Sequence, residues 1–239
     1  MREAKIRKYQ DAVLKKLSGR IDEFYLAGGT ALSLFYFQHR LSVDLDFFTP
    51  DFTQKRVKEI VDYLKNALKK KIEVVGQNLE KDKIKILVYN IHFSAKDVLK
   101  IDFVEDTLKL IKPARFVEGI RILSLEDIYM RKLYAISGVA PSIDEIGRTK
   151  MLGGRIEAKD FYDLYFLSHT FKSLSKFINE YGTAVMIEGL VRWFRSYDRM
   201  NMMDGLLTME IDKEIDCKKI EGHFKKEIDK IIQERLGDI

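Results

Sequence analysis

The sequence predicts an α+β protein, with an α/β half to about residue 120 and a mostly helical half after it. Three observations predict this. Val43 to Phe48 alternates apolar and acidic residues with the period of a strand. Ile72 to Val75, Ile84 to Phe93 and Val98 to Val104 carry the β-branched and aromatic residues that strands favour. After Gly119 the apolar spacing becomes that of helices. The expected domains are therefore 1–120 and 121–239.

Taken in order, residues 4 to 18 set Ile6, Val13, Leu14 and Leu17 among lysines and arginines, a helical face. Phe24 to Ala27 is a short strand, stopped by Gly28-Gly29. Thr30 is expected to cap the helix that carries Leu32, Leu34, Phe35 and Phe37. Pro50 ends the alternating strand. Residues 54 to 70 are helical, with Val57, Ile60, Val61, Leu64 and Leu68 on one side. Ser124 opens a helix from Leu125 to about Ser137, and Glu157 to about His169 forms another. A loop holding Pro141, Gly147, Gly153 and Gly154 is expected between them. Ile220 to Leu236 spaces Ile220, Phe224, Ile228, Ile231 and Ile232 as an amphipathic helix.

The bulk composition excludes several classes. Hydrophobic residues make up 46% and charged residues 33% of 239, so the chain can bury a core. Net charge is +5, which mildly favours an anionic partner over none. Cys217 is the single cysteine, so neither an intrachain disulfide nor a cysteine zinc site can form, and a reducing, cytoplasmic setting is expected. The N-terminus lacks the apolar stretch of a secretory signal. No apolar run reaches the roughly 20 residues of a membrane helix, so no membrane partner is expected.

The chemistry concentrates on Asp44 and Asp46. Residues two apart on a strand project to one side, while Val43, Leu45 and Phe47 are expected to point into the core. Apolar flanks imply a central strand, where carboxylates without a cation are costly. Two parallel carboxylates with no cationic neighbour repel, and hard oxygen ligands suit magnesium. Magnesium, or manganese, could then bridge nucleotide phosphates during in-line displacement. Asp102, in Lys100-Ile101-Asp102-Phe103-Val104, is the best third carboxylate. A bare Asp-x-Asp is more often the solvated face of a strand. The preceding Gly28-Gly29-Thr30 shifts that balance, because a glycine pair between strand and helix lets backbone N–H groups approach a phosphate.

These residues resemble a known family. Leu26-Ala27-Gly28-Gly29-Thr30-Ala31-Leu32, followed by His39-Arg40, Ser42 and Asp44-x-Asp46-Phe47-Phe48, is similar to the AbiEii/AbiGii toxins of abortive-infection and type IV toxin–antitoxin systems. Asp127 to Ala135 resembles the family's second helix, and Arg155 with Lys159-Asp160-Phe161-Tyr162-Asp163-Leu164 its third motif. The matches span roughly residues 21 to 170. The resemblance implies a polymerase-beta-like nucleotidyltransferase fold: a mixed sheet with flanking helices, then a helical half. It implies a nucleoside triphosphate as substrate, magnesium, a lysine at Lys132 facing the nucleotide, and in some members modification of a transfer RNA end. The long spacing from Gly29 to Asp44 departs from the wider superfamily but is normal for these toxins.

The remaining candidates carry two readings each. Arg40 pairs either with phosphate or with a core carboxylate. Ser42 either touches phosphate, takes up a nucleotide itself, or bonds to backbone. His39 is better read as a structural histidine at a turn than as a base. Lys159 and Asp163 are spaced for a surface ion pair, while Asp160 and Asp163 share a helical face from which they could orient Lys132; function is favoured for Lys159 and Asp160. Arg148, Lys150 and Arg155 either hold an RNA backbone or are solvated. Trp193 suits core packing better than a base-stacking platform.

The expected function is therefore a magnesium-dependent nucleotidyltransferase, with RNA as the expected acceptor and a cognate antitoxin as a partner under the family resemblance. Two alternatives stand beside it: a non-catalytic nucleotide- or protein-binding module of the same fold, and a transferase for protein or small-molecule acceptors.

Overall fold

A computed structural model describes residues 2–81, 83–138, 140–143, 149–152, 154–211 and 216–237, with backbone alone from 140 to 152 and at 236–237. The chain divides into two compact units, Met1–Ser124 and Leu125–Ile239.

The first unit is built on a seven-stranded mixed sheet. Its elements are α1 (Arg2–Leu17), β1 (Tyr25–Leu26), α2 (Gly28–Phe35), β2 (Asp44–Thr49), α3 (Gln54–Leu68), β3 (Lys71–Asn78), β4 (Ile86–His92), β5 (Val98–Glu105), β6 (Arg115–Val117) and β7 (Ile120–Ile122). The strand order is β3-β4-β5-β2-β1-β7-β6, so β2 lies at the centre. β2 runs parallel to β5, and β1 parallel to β7, while the other pairs are antiparallel. The hairpin β6–β7 was not expected from the sequence; three-residue strands are too short to show a period.

The alternation in β2 has the expected cause. Leu45 and Phe47 are fully buried, and Phe103 of β5 packs against Phe47, Phe24 and Tyr89. Burying each such side chain stabilises the fold by about 1.5–3 kcal/mol. Val43 does not join them: it precedes the strand and is exposed. α1 contributes Val13, Leu14 and Leu17 to the core, and α3 contributes Val57, Ile60, Val61 and Leu64. Thr53 caps α3 by accepting from the Arg56 N–H. Thr30 caps nothing. The helix starts earlier, with Ala27 as the cap residue, because Gly28 turns the chain through φ +67. Thr30 is therefore inside α2 and fully buried.

The second unit comprises α4 (Leu125–Ser137), β8 (Ala140–Ile143), β9 (Thr149–Leu152), α5 (Ala158–Phe166), α6 (Leu174–Tyr181), α7 (Ala184–Ser196), α8 (Arg199–Leu207) and α9 (Cys217–Gly237). Where a plain loop was expected, β8 and β9 form an antiparallel pair, with Ala140 opposite Leu152. The cross-strand hydrogen bonds override the local Pro and Gly signals that suggested a loop. Gly147, Arg148, Gly153 and the Lys150 side chain lie outside the described residues. α5 continues into one π-helical turn, Leu167–Phe171, where Ser168 accepts from the Leu174 N–H and lies 2.7 Å from His223 Nε2. The core holds Tyr129 stacked on Phe177, and Phe161 among Trp193, Tyr197 and Phe224. Trp193 is thus a packed core residue, not a base-stacking platform. No described helix is long and apolar enough to cross a membrane.

Candidate active site

The parallel register of β2 and β5 creates the acidic cluster. Asp46 pairs with Asp102, and Asp44 pairs with Lys100. Side chains in register on adjacent strands face the same side. Asp102 is buried, whereas the Asp44 side chain keeps 28% of its exposure. Lys100 is the residue that sequence reasoning missed. Its Nζ stands 2.8 Å from Asp102 Oδ2 and 3.7 Å from Asp44 Oδ2. Burial pulls its pKa down, but the Asp102 hydrogen bond and the charges of Asp44, Asp102 and Asp46 outweigh that and raise it overall. The ammonium stays protonated at neutral pH. The expectation that these carboxylates lack a cationic neighbour is therefore corrected. The signal was present: Lys100 lies two residues before Asp102, on the same face.

Next to this cluster lies the glycine turn. A Cβ at Gly28 would sit 2.5 Å from Asp46 Oδ2, so only glycine allows the turn to approach this carboxylate. A Cβ at Gly29 would overlap the Arg40 guanidinium and lie 3.2 Å from Ser42 Oγ. The Thr30 hydroxyl donates to the Asp44 carbonyl and lies 2.8 Å from Ser42 Oγ. The Ala27 N–H donates to the Asp46 carbonyl at 2.9 Å, tying the turn to β2. Gly28, Gly29, Thr30, Arg40, Ser42, Asp44 and Asp46 thus meet in one place. Arg40 is buried and donates to the Leu41 carbonyl at 3.1 Å. His39 is buried with its ring edge-on to Phe37, as suits a structural histidine.

The donor set is chemically right for a hard dication, because carboxylate oxygens converge from β2 and β5. Among the described residues, however, no three acidic, histidine or cysteine side chains already stand at metal-holding spacing. The Lys100 ammonium stands among these carboxylates, at 2.8 Å from Asp102 Oδ2 and 3.7 Å from Asp44 Oδ2. The Lys100 side chain is 38% exposed. Its partner Asp102 is buried, so withdrawal without a replacing cation would strip a buried carboxylate of this charge. A separate cleft of about 410 Å³ lies between α1, the end of α2 and the β6–β7 turn, lined by Arg7, Asp11, Lys15, Phe35 and Glu118. None of the candidate residues lines it.

The second unit holds a different charged cluster. Lys132 on α4 donates to Asp160 Oδ1 at 2.6 Å and stands 2.7 Å from Asp163 Oδ2. Arg155 closes on Asp160 with Nε at 2.5 Å and Nη2 at 2.9 Å. Both aspartates are fully buried. Burial alone would push the Asp160 carboxyl up; Lys132 and Arg155 outweigh it and hold the carboxyl below the ordinary aspartate value. Asp160 and Asp163 share one helical face, as expected. The Lys159–Asp163 surface pair does not form: Asp163 turns inward to Lys132, and Lys159 pairs with Glu157 at 2.9 Å. Arg155 is exposed in the loop before α5, and its guanidinium edge is engaged by Asp160.

Two solved structures share this fold across nearly the whole chain. One is JHP933 from Helicobacter pylori, 19% identical, covering 99% of this chain and 96% of that one with a TM-score of 0.60. The other, also from H. pylori and described as a "putative nucleotidyltransferase", is 18% identical and covers 98% of this chain and 97% of that one, with a TM-score of 0.58. At such identity the likeness establishes the architecture. The family model for the AbiEii nucleotidyl transferase toxin of type IV toxin–antitoxin systems matches residues 13–237, and the chain belongs to that family. No curated protein matches it.

Proposed function

We propose that Asp44, Asp46 and Asp102 hold the divalent ions of a nucleotidyl transfer reaction whose acceptor is RNA, a transfer RNA end being one candidate. The observation that carries this reading is the placement of Asp46 opposite Asp102, directly against the Gly28–Gly29 turn. Magnesium or manganese held there would supply positive charge to the phosphates. The chain's own groups do the rest. The N-terminal N–H groups of α2, reached over Gly28 and Gly29, face a polyphosphate. Arg40, Ser42 and Thr30 line the turn. The acceptor hydroxyl forms a bond to the α-phosphorus, the bond to the bridging oxygen breaks, and pyrophosphate leaves. In the C-terminal unit Lys132 and Lys159 are proposed as nucleotide ligands, with Asp160 as the catalytic partner that orients Lys132.

The family implies a nucleoside triphosphate substrate and an antitoxin partner. The lone cysteine favours a cytoplasmic setting. Incubation with labelled triphosphates, magnesium and total RNA is expected to label RNA. Label retained by an Asp44→Asn/Asp46→Asn double variant would overturn the metal assignment. A second reading, transfer to a protein hydroxyl including the chain's own Ser42, is favoured by the position of Ser42 Oγ beside Thr30 and Gly29. A gain of one nucleotidyl mass on the intact protein would support it.

A further inference from the structure

We propose that Lys100 is a built-in counter-ion of the acidic cluster, held where a dication would bind, and that it sets how tightly the protein takes up a free divalent metal. The inference rests on Asp44, Asp46 and Asp102 being the metal ligands.

The geometry makes the lysine and a metal alternatives. Lys100 faces Asp44 across the strand pair and precedes Asp102 by two residues, so its stem is fixed on the carboxylate side of the sheet. Its Nζ bonds to Asp102 at 2.8 Å and reaches Asp44 at 3.7 Å, bridging the two strands. A dication bound to the same oxygens would stand within a few ångströms of the ammonium, where like charges repel strongly. The ammonium and a dication therefore compete for Asp102 Oδ2 and Asp44 Oδ2. Binding of a metal therefore includes the loss of two ion pairs, and metal affinity is lowered by that amount. The four-carbon stem gives the displaced ammonium freedom to move, and its exposure leaves it a path to solvent. Without metal, the same contact keeps the buried Asp102 neutralised, so the sheet centre does not depend on metal to stay folded.

The test measures Mn²⁺ binding to the full chain, without nucleotide, by the electron paramagnetic resonance signal of free Mn²⁺. Lys100→Met is expected to bind Mn²⁺ at least tenfold tighter than wild type, and Lys100→Arg, which keeps the charge, to bind like wild type. Thermal unfolding in chelator gives an independent readout. Lys100→Met is expected to melt at lower temperature and to recover with Mn²⁺, while wild type responds weakly. Equal Mn²⁺ affinity in wild type and Lys100→Met, with binding abolished in both backgrounds by Asp44→Asn/Asp46→Asn, overturns the role of Lys100 and leaves the metal ligands intact. Binding that survives Asp44→Asn/Asp46→Asn overturns the ligand assignment, and the inference with it.

Discussion

The two units each surround a lysine with aspartates, but they do so in opposite solvent environments. In the N-terminal unit, Lys100 is 38% exposed and Asp44 28% exposed, while Asp102 keeps only 11%. In the C-terminal unit, Lys132 is 7% exposed and Asp160 and Asp163 are fully buried. Lys100 and Asp44, both partly exposed, can exchange this contact at small cost, which a site binding a charged substrate needs. A buried set is locked, because removing one member strands the others in a low-dielectric interior. The first cluster is open to a charged ligand, while in the second Asp160 and Asp163 hold the Lys132 ammonium in one position.

The sharpest way to break this contrast is Lys132→Met. It leaves Asp163 without this cation and Asp160 with Arg155, and is expected to cost about 3–5 kcal/mol in urea unfolding. A loss below 1 kcal/mol would show that the cluster is not locked. Its pH dependence sharpens the point. The Asp160 carboxyl titrates below its ordinary value in the fold, so its stabilising contribution is complete above the unfolded value of about 3.9 and is lost as pH falls through the lower folded value. Acid unfolding monitored by circular dichroism should therefore begin at higher pH in Lys132→Met than in wild type.

Gly28→Ala comes next. Its positive φ and the approach of Asp46 to 2.5 Å of the new Cβ imply a loss of about 1–3 kcal/mol and displacement of that carboxylate. Transfer activity should fall further than stability does, and equal activity in the variant would separate the turn from the chemistry. The smallest stability effect is expected for Asp44→Asn/Asp46→Asn. Its unfolding free energy should stay within about 1 kcal/mol of wild type while transfer disappears. A large destabilisation would make the exposed cluster structural after all.

Legibility in the sequence followed the range of the interaction. Asp44 and Asp46 could be read because their alternation with Leu45 and Phe47 is local. The helix Leu125–Ser137 matched its expected bounds because Ser124 and the apolar spacing mark them nearby. Thr30 misled, because a hydroxyl after two glycines looks like a cap and nothing local reveals that Gly28 already begins the helix. Lys100 was invisible as a partner of Asp44: strands distant in sequence set the register of β2 against β5, and no periodicity encodes it. The inward turn of Asp163 was likewise hidden, since its spacing from Lys159 suits a surface pair equally well.

The hydrogen-bond ladder between β2 and β5 also imposes arithmetic on how this chain can change in length. Asp46 meets Asp102 only while both strands keep their count. One residue added within β5 ahead of Lys100 would turn Lys100 and Asp102 toward the packed face and Ile101 toward solvent. Two residues would restore the face but shift each aspartate to a new neighbour. The turn between β4 and β5, residues 93–97, can absorb additions of either parity. Drift in length is therefore expected at that turn, while the strands it joins stay fixed in number.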